Sequence, residues 1–369
     1  MSKILKCRHV LLVVFLVFCA AANSPNEPVK EDISRWLVSP ELLKDSDLKI
    51  LWQTELPLVP TESLQRLTII EGNIYALSNR NYIVCLSGET GSVIFSRPLT
   101  QAGLPVLGLE LYKNELFSIA GNELLQINAA TGAEISKKRL DFGITCPPAR
   151  NGSYFYVATT ENRLRALRVE DKVLAFEAVA ENVSKITSVI ADENYVVFAT
   201  DAGNVVSIRS GNPEKLWQFD AQASITKPII KDANSLFVAG RDTNVYKLDV
   251  LTGNLVWKYQ ADAILEKGPR VTSEIVYQYA RGKGVTAIDK NSGKKLWELN
   301  KAVDLLAEAN GKSYLITGTG ELIAMDNKKA KKLYSVKFDN ALKNAANVTS
   351  SEIYIADAMG RIACLKPIE

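Results

Sequence analysis

The stretch VYKLDVLTGNLVWKY, from Val245 to Tyr259, constrains the chain more than any other because the rest of the sequence repeats it. Val245 to Leu248 alternate as a strand does, Asp249 to Gly253 supplies a turn, and Leu255 to Tyr259 reads as a returning strand. Gly253 stands where the hairpin loop needs a positive φ, which costs glycine no Cβ clash. Trp257 on the returning strand carries more than about 150 Å2 of surface that requires burial.

An aliphatic residue equivalent to Leu248 recurs at Leu86, Ile127, Leu167, Ile208, Ile288, Met325 and Leu365, a period of about forty residues. The turn position that follows holds Gly91, Gly132, Lys172, Pro213, Gly253, Gly293 and Ala330, and the bulky position after it Phe95, Phe176, Trp217, Trp257, Trp297 and Tyr334, with Ser136 the exception. An aromatic precedes each hairpin, at Tyr75, Phe117, Tyr156, Phe198, Phe237, Tyr277, Tyr314 and Tyr354. Four strands per unit and eight units predict an all-β, eight-bladed β-propeller, since radial stacking hides the blade faces and leaves only short edges. The eighth unit reaches Glu369 before its last strand, whereas Leu51, Trp52 and Gln53 repeat the triplet of Leu216, Trp217 and Gln218. An N-terminal strand at Leu51 to Leu56 is therefore expected to close the ring, with the propeller spanning residues 50–369.

The leader reads separately. Lys3, Lys6 and Arg8 precede an apolar run from Val10 to Phe18 and the small residues Ala20 to Ala22, which predicts a cleaved signal peptide over 1–22. The run is too short to span a bilayer. Leu16, Val17, Phe18 and Cys19 resemble a bacterial lipobox, which would make Cys19 an acylated N-terminus; Phe18 stands where such a site takes a small residue, so plain secretion is favoured. Residues 23–49 read as a polar tether with one short helix, Ser39 and Pro40 being placed as its cap and first residue. Trp36 and Leu37 are expected to dock on the ring, docking on a partner being the alternative.

The net charge of +3 equals the charge of the leader, so the mature chain is close to neutral and no nucleic-acid partner is expected. The sole histidine, His9, also lies in the leader, which leaves the mature chain without the commonest general base and metal ligand. Cys85, Cys146 and Cys364 show no metal-type spacing and read as buried small hydrophobes. Asp249, Asp289 and Asp326 could serve acid–base chemistry, but their common repeat position favours carboxylates that bond their own turns. No catalytic, cofactor or metal residue is assigned. Lysines gather on two turns, Lys290, Lys294 and Lys295 in blade six and Lys328, Lys329, Lys331 and Lys332 in blade seven. They are the candidate interaction surface for an anionic partner, against the plainer reading of solvated turns.

Leu248, Asp249, Thr252, Gly253 and Trp257, repeated as Ile288, Asp289, Ser292, Gly293 and Trp297, resemble the pyrroloquinoline-quinone-type propeller repeat. The Gly-His and Trp-Asp pairs of WD40 arrays and the double glycine of kelch repeats are missing. Among proteins with this repeat, quinone-dependent dehydrogenases are longer and often use adjacent cysteines, which this chain lacks. In length, leader and blade number the chain resembles the BamB family of outer-membrane β-barrel assembly. That resemblance implies a secreted, non-enzymatic scaffold with protein partners, a β-barrel assembly component among them. It also implies a periplasmic location, outer-membrane anchorage if Cys19 is lipidated, membrane contact only through that tether, no cofactor, and a monomer. A quinone-dependent dehydrogenase is the alternative. None of the family's interaction residues is carried over to positions in this chain.

Overall fold

A computed structural model describes residues 36–340 and 343–368. The expected leader, Cys19 and the first part of the tether lie outside the described residues. Eight four-stranded antiparallel sheets follow in chain order. Seven are consecutive meanders, over residues 64–98, 106–139, 149–178, 186–220, 230–260, 270–299 and 302–337, and are numbered here as blades one to seven. Blade eight takes Lys343–Ala345, Ile353–Ala356 and Arg361–Pro367 from the C-terminus and Leu48–Glu55 from the N-terminus.

The repeated aliphatic positions are what hold the ring. All eight residues equivalent to Leu248 are buried, as are the eight aromatics of the second strands. First strands of adjacent blades meet one another, which places them around the axis and the fourth strands on the outside. In blades one to seven the pairing of third and fourth strands slips at the Leu248 position, as between Lys247 and Leu248. This bulge turns the outer strand so that its aromatic faces the next blade.

The mode of inter-blade packing is visible at the turn glycines. A Cβ on Gly253, at φ +72°, would lie 2.4 Å from the ring of Trp217 in the preceding blade, and Gly293 stands in the same relation to Trp257. Gly91 is packed this way against Trp52 and Gly132 against Phe95. The indole N–H completes the lock by donating across the seam to a turn carbonyl: Trp52 to Gly88 at 2.9 Å, Trp217 to Val250 at 3.1 Å and Trp257 to Lys290 at 3.0 Å.

The closing strand begins at Leu48, ahead of the expected Leu51, and pairs with the last strand from Leu48–Pro367 to Glu55–Arg361. The short helix is present as a 3-10 turn, Pro40–Leu43. Residues 37–49, read from sequence as part of a tether, instead pack on the ring. Val38, Leu43 and Leu48 are buried with Leu306, Tyr314, Val336 and Phe338, and Leu37 packs against the same cluster. Gln53 grips the Val38 backbone from both sides, its Oε1 accepting from the N–H at 2.9 Å and its Nε2 donating to the carbonyl at 2.8 Å. Asp47 accepts from Lys312 and Tyr334 of blade seven. Tether length and polarity hid this, because three apolar residues spaced along a loop carry no period.

Candidate interaction surfaces

Two regions gather charged side chains on the ring: the turns between third and fourth strands, and the first strands around the axis. On the turns, the repeated aspartates bond their own backbone. Asp249 Oδ1 accepts from Leu251 N at 3.1 Å, Thr252 N at 2.8 Å and Thr252 Oγ1 at 2.9 Å. Asp289 accepts from Ser292 N and Asp326 from Lys328 and Lys329 N. Hydrogen bonds from the Thr252 side chain and backbone hold Asp249 below the ordinary carboxylate range. These carboxylates fix turns, as their symmetric spacing implied.

The lysines divide into two groups. Lys290 turns inward: it pairs with Asp232 of blade five and donates to the Thr272 and Ser273 carbonyls at 2.9 and 3.2 Å. It staples two blades, and its side chain is only 15% exposed. Lys295 pairs with Glu298 at 2.6 Å, and Lys332 with Glu321 at 3.3 Å. Lys294, Lys328, Lys329 and Lys331 are exposed, and of these only Lys329 has a carboxylate within 4 Å among the described residues, Asp326 at 3.9 Å. The structure thus brings the two turns to one face, since the third strands of all blades run in one sense, but leaves fewer free ammonium groups than the sequence count.

The axial wall holds charges for which the sequence reading made no assignment. Asp304 of blade seven accepts from Nε and Nη2 of Arg270 of blade six, each at 3.0 Å, and from Lys267 Nζ at 3.0 Å. Burial works against the Asp304 carboxylate, but the Arg270 hydrogen bonds and charge, with Lys267, outweigh it and hold the group below its ordinary range. A depressed folded value means that stability from this cluster is complete above about pH 4, the unfolded carboxylate value, and is lost as pH falls through the folded one. Asp304→Ala should therefore cost about 2 kcal/mol at neutral pH, less than a fully buried pair because its cationic partners keep contact with water. It should also flatten the acid limb of the stability curve below about pH 4, measured by urea unfolding against pH. An acid limb identical to that of the parent protein would remove this role.

Opposite, Glu110 and Leu111 of blade two line a cavity of about 350 Å3 with Pro147, Val189 and Ile229 of blades three to five. Glu110 keeps contact with solvent, and the surrounding strands still desolvate its carboxyl enough to raise it above the ordinary carboxylate range, against the pull of Arg66. Glu110 as the one charged residue in the first strand of blade two, and Asp304 with Glu308 in that of blade seven, were the available sequence signal, and without the ring register they had no meaning.

The matches to known proteins fall on this same ring. Residues 108–223 and 211–310, together more than half of the chain, match the family model described as outer membrane protein assembly factor BamB. The chain belongs to the BamB family. BamB of Yersinia pestis is 22% identical over 193 residues, 47% of this chain and 49% of that protein. An uncharacterized protein of Rickettsia prowazekii is 24% identical over 372 residues, covering 92% of this chain and 88% of the relative. The crystal structure of BamB from Moraxella catarrhalis superposes with a TM-score of 0.66 at 15% identity, over 86% of this chain and 99% of that one, and so shares the fold. A 1-butanol dehydrogenase (cytochrome c) of Thauera butanivorans is 29% identical over 122 residues, 29% of this chain and 17% of that enzyme.

Within this BamB-family ring the cysteines behave as packing residues. Cys85, Cys146 and Cys364 are unpaired and buried, and burial pushes their thiols up, Cys85 to about 11 and the others to about 12. Thiols so far above neutral pH are poor nucleophiles.

Proposed function

We propose that this chain is an exported, non-enzymatic scaffold that holds protein partners during assembly of outer-membrane β-barrels. The carrying observation is the BamB family match across 108–310. A ring held by indole–carbonyl bonds at three of its seams supports the reading, because a rigid surface loses little entropy on binding. The exposed lysines Lys294, Lys328, Lys329 and Lys331 are the proposed contact for an acidic partner, with Lys290, Lys295 and Lys332 supporting the turns. A local basic field on a nearly neutral chain speeds encounter more than it adds affinity.

Cross-linking followed by affinity capture from cell envelopes tests this. Barrel-assembly proteins should be retained by the parent chain, and charge reversal of Lys294, Lys328, Lys329 and Lys331 to glutamate should slow capture at low salt. Retention of no envelope protein under mild conditions ends the scaffold reading. The dehydrogenase reading has one observation in its favour, the partial likeness to the 1-butanol dehydrogenase. Dye-linked alcohol oxidation after addition of pyrroloquinoline quinone and calcium decides it, turnover supporting the enzyme and its absence the scaffold.

A further inference from the structure

The seam between blades two and three departs from the rule that governs its neighbours. Where other blades carry an aromatic, the outer strand of blade two has Ser136, and its Oγ donates within the blade to Gln126 Oε1 at 2.6 Å. Across the seam, blade three carries Lys172 in place of the turn glycine. Lys172 Nζ donates to the Val169 carbonyl of its own blade. Val169 follows Leu167 at the spacing by which Gly88, Val250 and Lys290 follow Leu86, Leu248 and Ile288. The carbonyl that the preceding blade's indole caps at three other seams is therefore capped here by a local ammonium group. Both halves of the lock have been replaced by bonds internal to one blade, and the outer strand of blade two is released from its neighbour.

That strand, Glu134–Arg139, is the one of the eight outer strands with no buried residue. It ends in Lys137, Lys138 and Arg139, of which only Lys137 has an ion-pair partner among the described residues, Glu123 at 2.7 Å. Its inner pairing is intact, with Leu124 opposite Lys138 and Gln126 opposite Ser136. Leu140 N donates to Asn122 O at 2.9 Å on the blade side. Since successive residues of an antiparallel strand point their backbone groups to opposite sides, Ser136 and Lys138 also face the blade, while Ile135, Lys137 and Arg139 turn theirs outward. The outer strand of blade seven is also rich in lysine, but the 3-10 turn Pro40–Leu43 lies against it.

We propose that the edge of blade two at Ile135 to Arg139 is a strand-addition site for an extended acidic segment of a partner protein, which pairs as a fifth strand. Unpaired backbone groups supply the ladder and opposite charges directly across it select the partner. The site rests on the scaffold reading and specifies where and how that scaffold would bind.

A fluorescent peptide of alternating glutamate and threonine is the probe, with lysine–threonine and serine–threonine peptides as controls. At low salt the acidic peptide should bind saturably and slow amide exchange at Ile135, Lys137 and Arg139. Lys137→Pro removes an outward N–H together with the partly exposed pair to Glu123, a substitution that edge strands tolerate, and should weaken binding about tenfold or more with little change in melting temperature, since a surface pair contributes little. Lys138→Glu with Arg139→Glu should weaken it and flatten the salt dependence, whereas Lys258→Glu on the outer strand of blade five should not. Lack of saturable binding, equal binding by Lys137→Pro, or amide protection on another blade overturns the proposal. If the parent ring captures envelope proteins and Lys137→Pro captures the same set, the edge assignment fails while the scaffold stands.

Discussion

A chain that begins after Glu55 should fail to form a cooperatively melting ring. It lacks the strand that pairs with Arg361–Pro367, which exposes the backbone edge of blade eight, and it lacks Trp52. Trp52 is buried, donates to the Gly88 carbonyl of blade one at 2.9 Å and lies 6.0 Å from the Tyr354 ring. The Trp52→Ala substitution alone should cost about 3 to 5 kcal/mol, read by denaturant unfolding of the full chain. Trp52→Phe keeps most of the apolar contact and leaves the carbonyl unmet, so its cost should be nearer 1 to 2 kcal/mol, on the order of an unsatisfied buried acceptor. A chain that begins at Leu48 keeps the pairing but loses the burial of Val38 and Leu43 and the Asp47 bonds to blade seven. It should melt earlier than the parent but in one step. Equal losses from the two truncations would show that closure depends on the clasp and not on the strand.

Gly253→Ala should destabilise the ring by about 2 to 4 kcal/mol, the sum of a left-handed backbone on a residue with a Cβ and the displacement of a packed ring. The new methyl would lie 2.4 Å from Trp217, whose indole cannot retreat without breaking its bond to Val250. Gly311→Ala separates the two contributions, because Gly311 has nearly the same φ, +71°, and nothing within 4 Å of its Cβ direction. Its cost should stay near 1 kcal/mol, the backbone strain alone. Equal melting temperatures for the two variants would mean that the inter-blade lock contributes nothing at this seam. Two exceptions to the glycine rule differ in this respect: Lys172 adopts φ +59° opposite Ser136, where no ring competes for the space, whereas Ala330 at φ +52° follows the blade of Trp297, whose indole N–H finds no acceptor among the described residues.

Blade number, strand order and the buried face of each strand were legible in the chain, because a period of about forty residues with an aliphatic and an aromatic at fixed offsets is a statement about local alternation and turn chemistry. The same reasoning placed Asp249, Asp289 and Asp326 as turn residues and marked Trp257 for burial, and the closing strand was found by its triplet. What the repeat could not show was anything that joins one blade to another. Lys290 read as an exposed turn lysine, yet its ammonium reaches Asp232 of the preceding blade. Arg270, Lys267 and Asp304 met only when the first strands were set around an axis. Val38 and Leu43 read as a tether because their burial depends on a groove built by blades seven and eight, distant in sequence. Local sequence determined the blade, since hydrogen bonding and pleat act between neighbours along the chain. The seams, the axial charges and the released edge of blade two were decided by tertiary structure, because each depends on side chains brought together only when one blade is laid against the next.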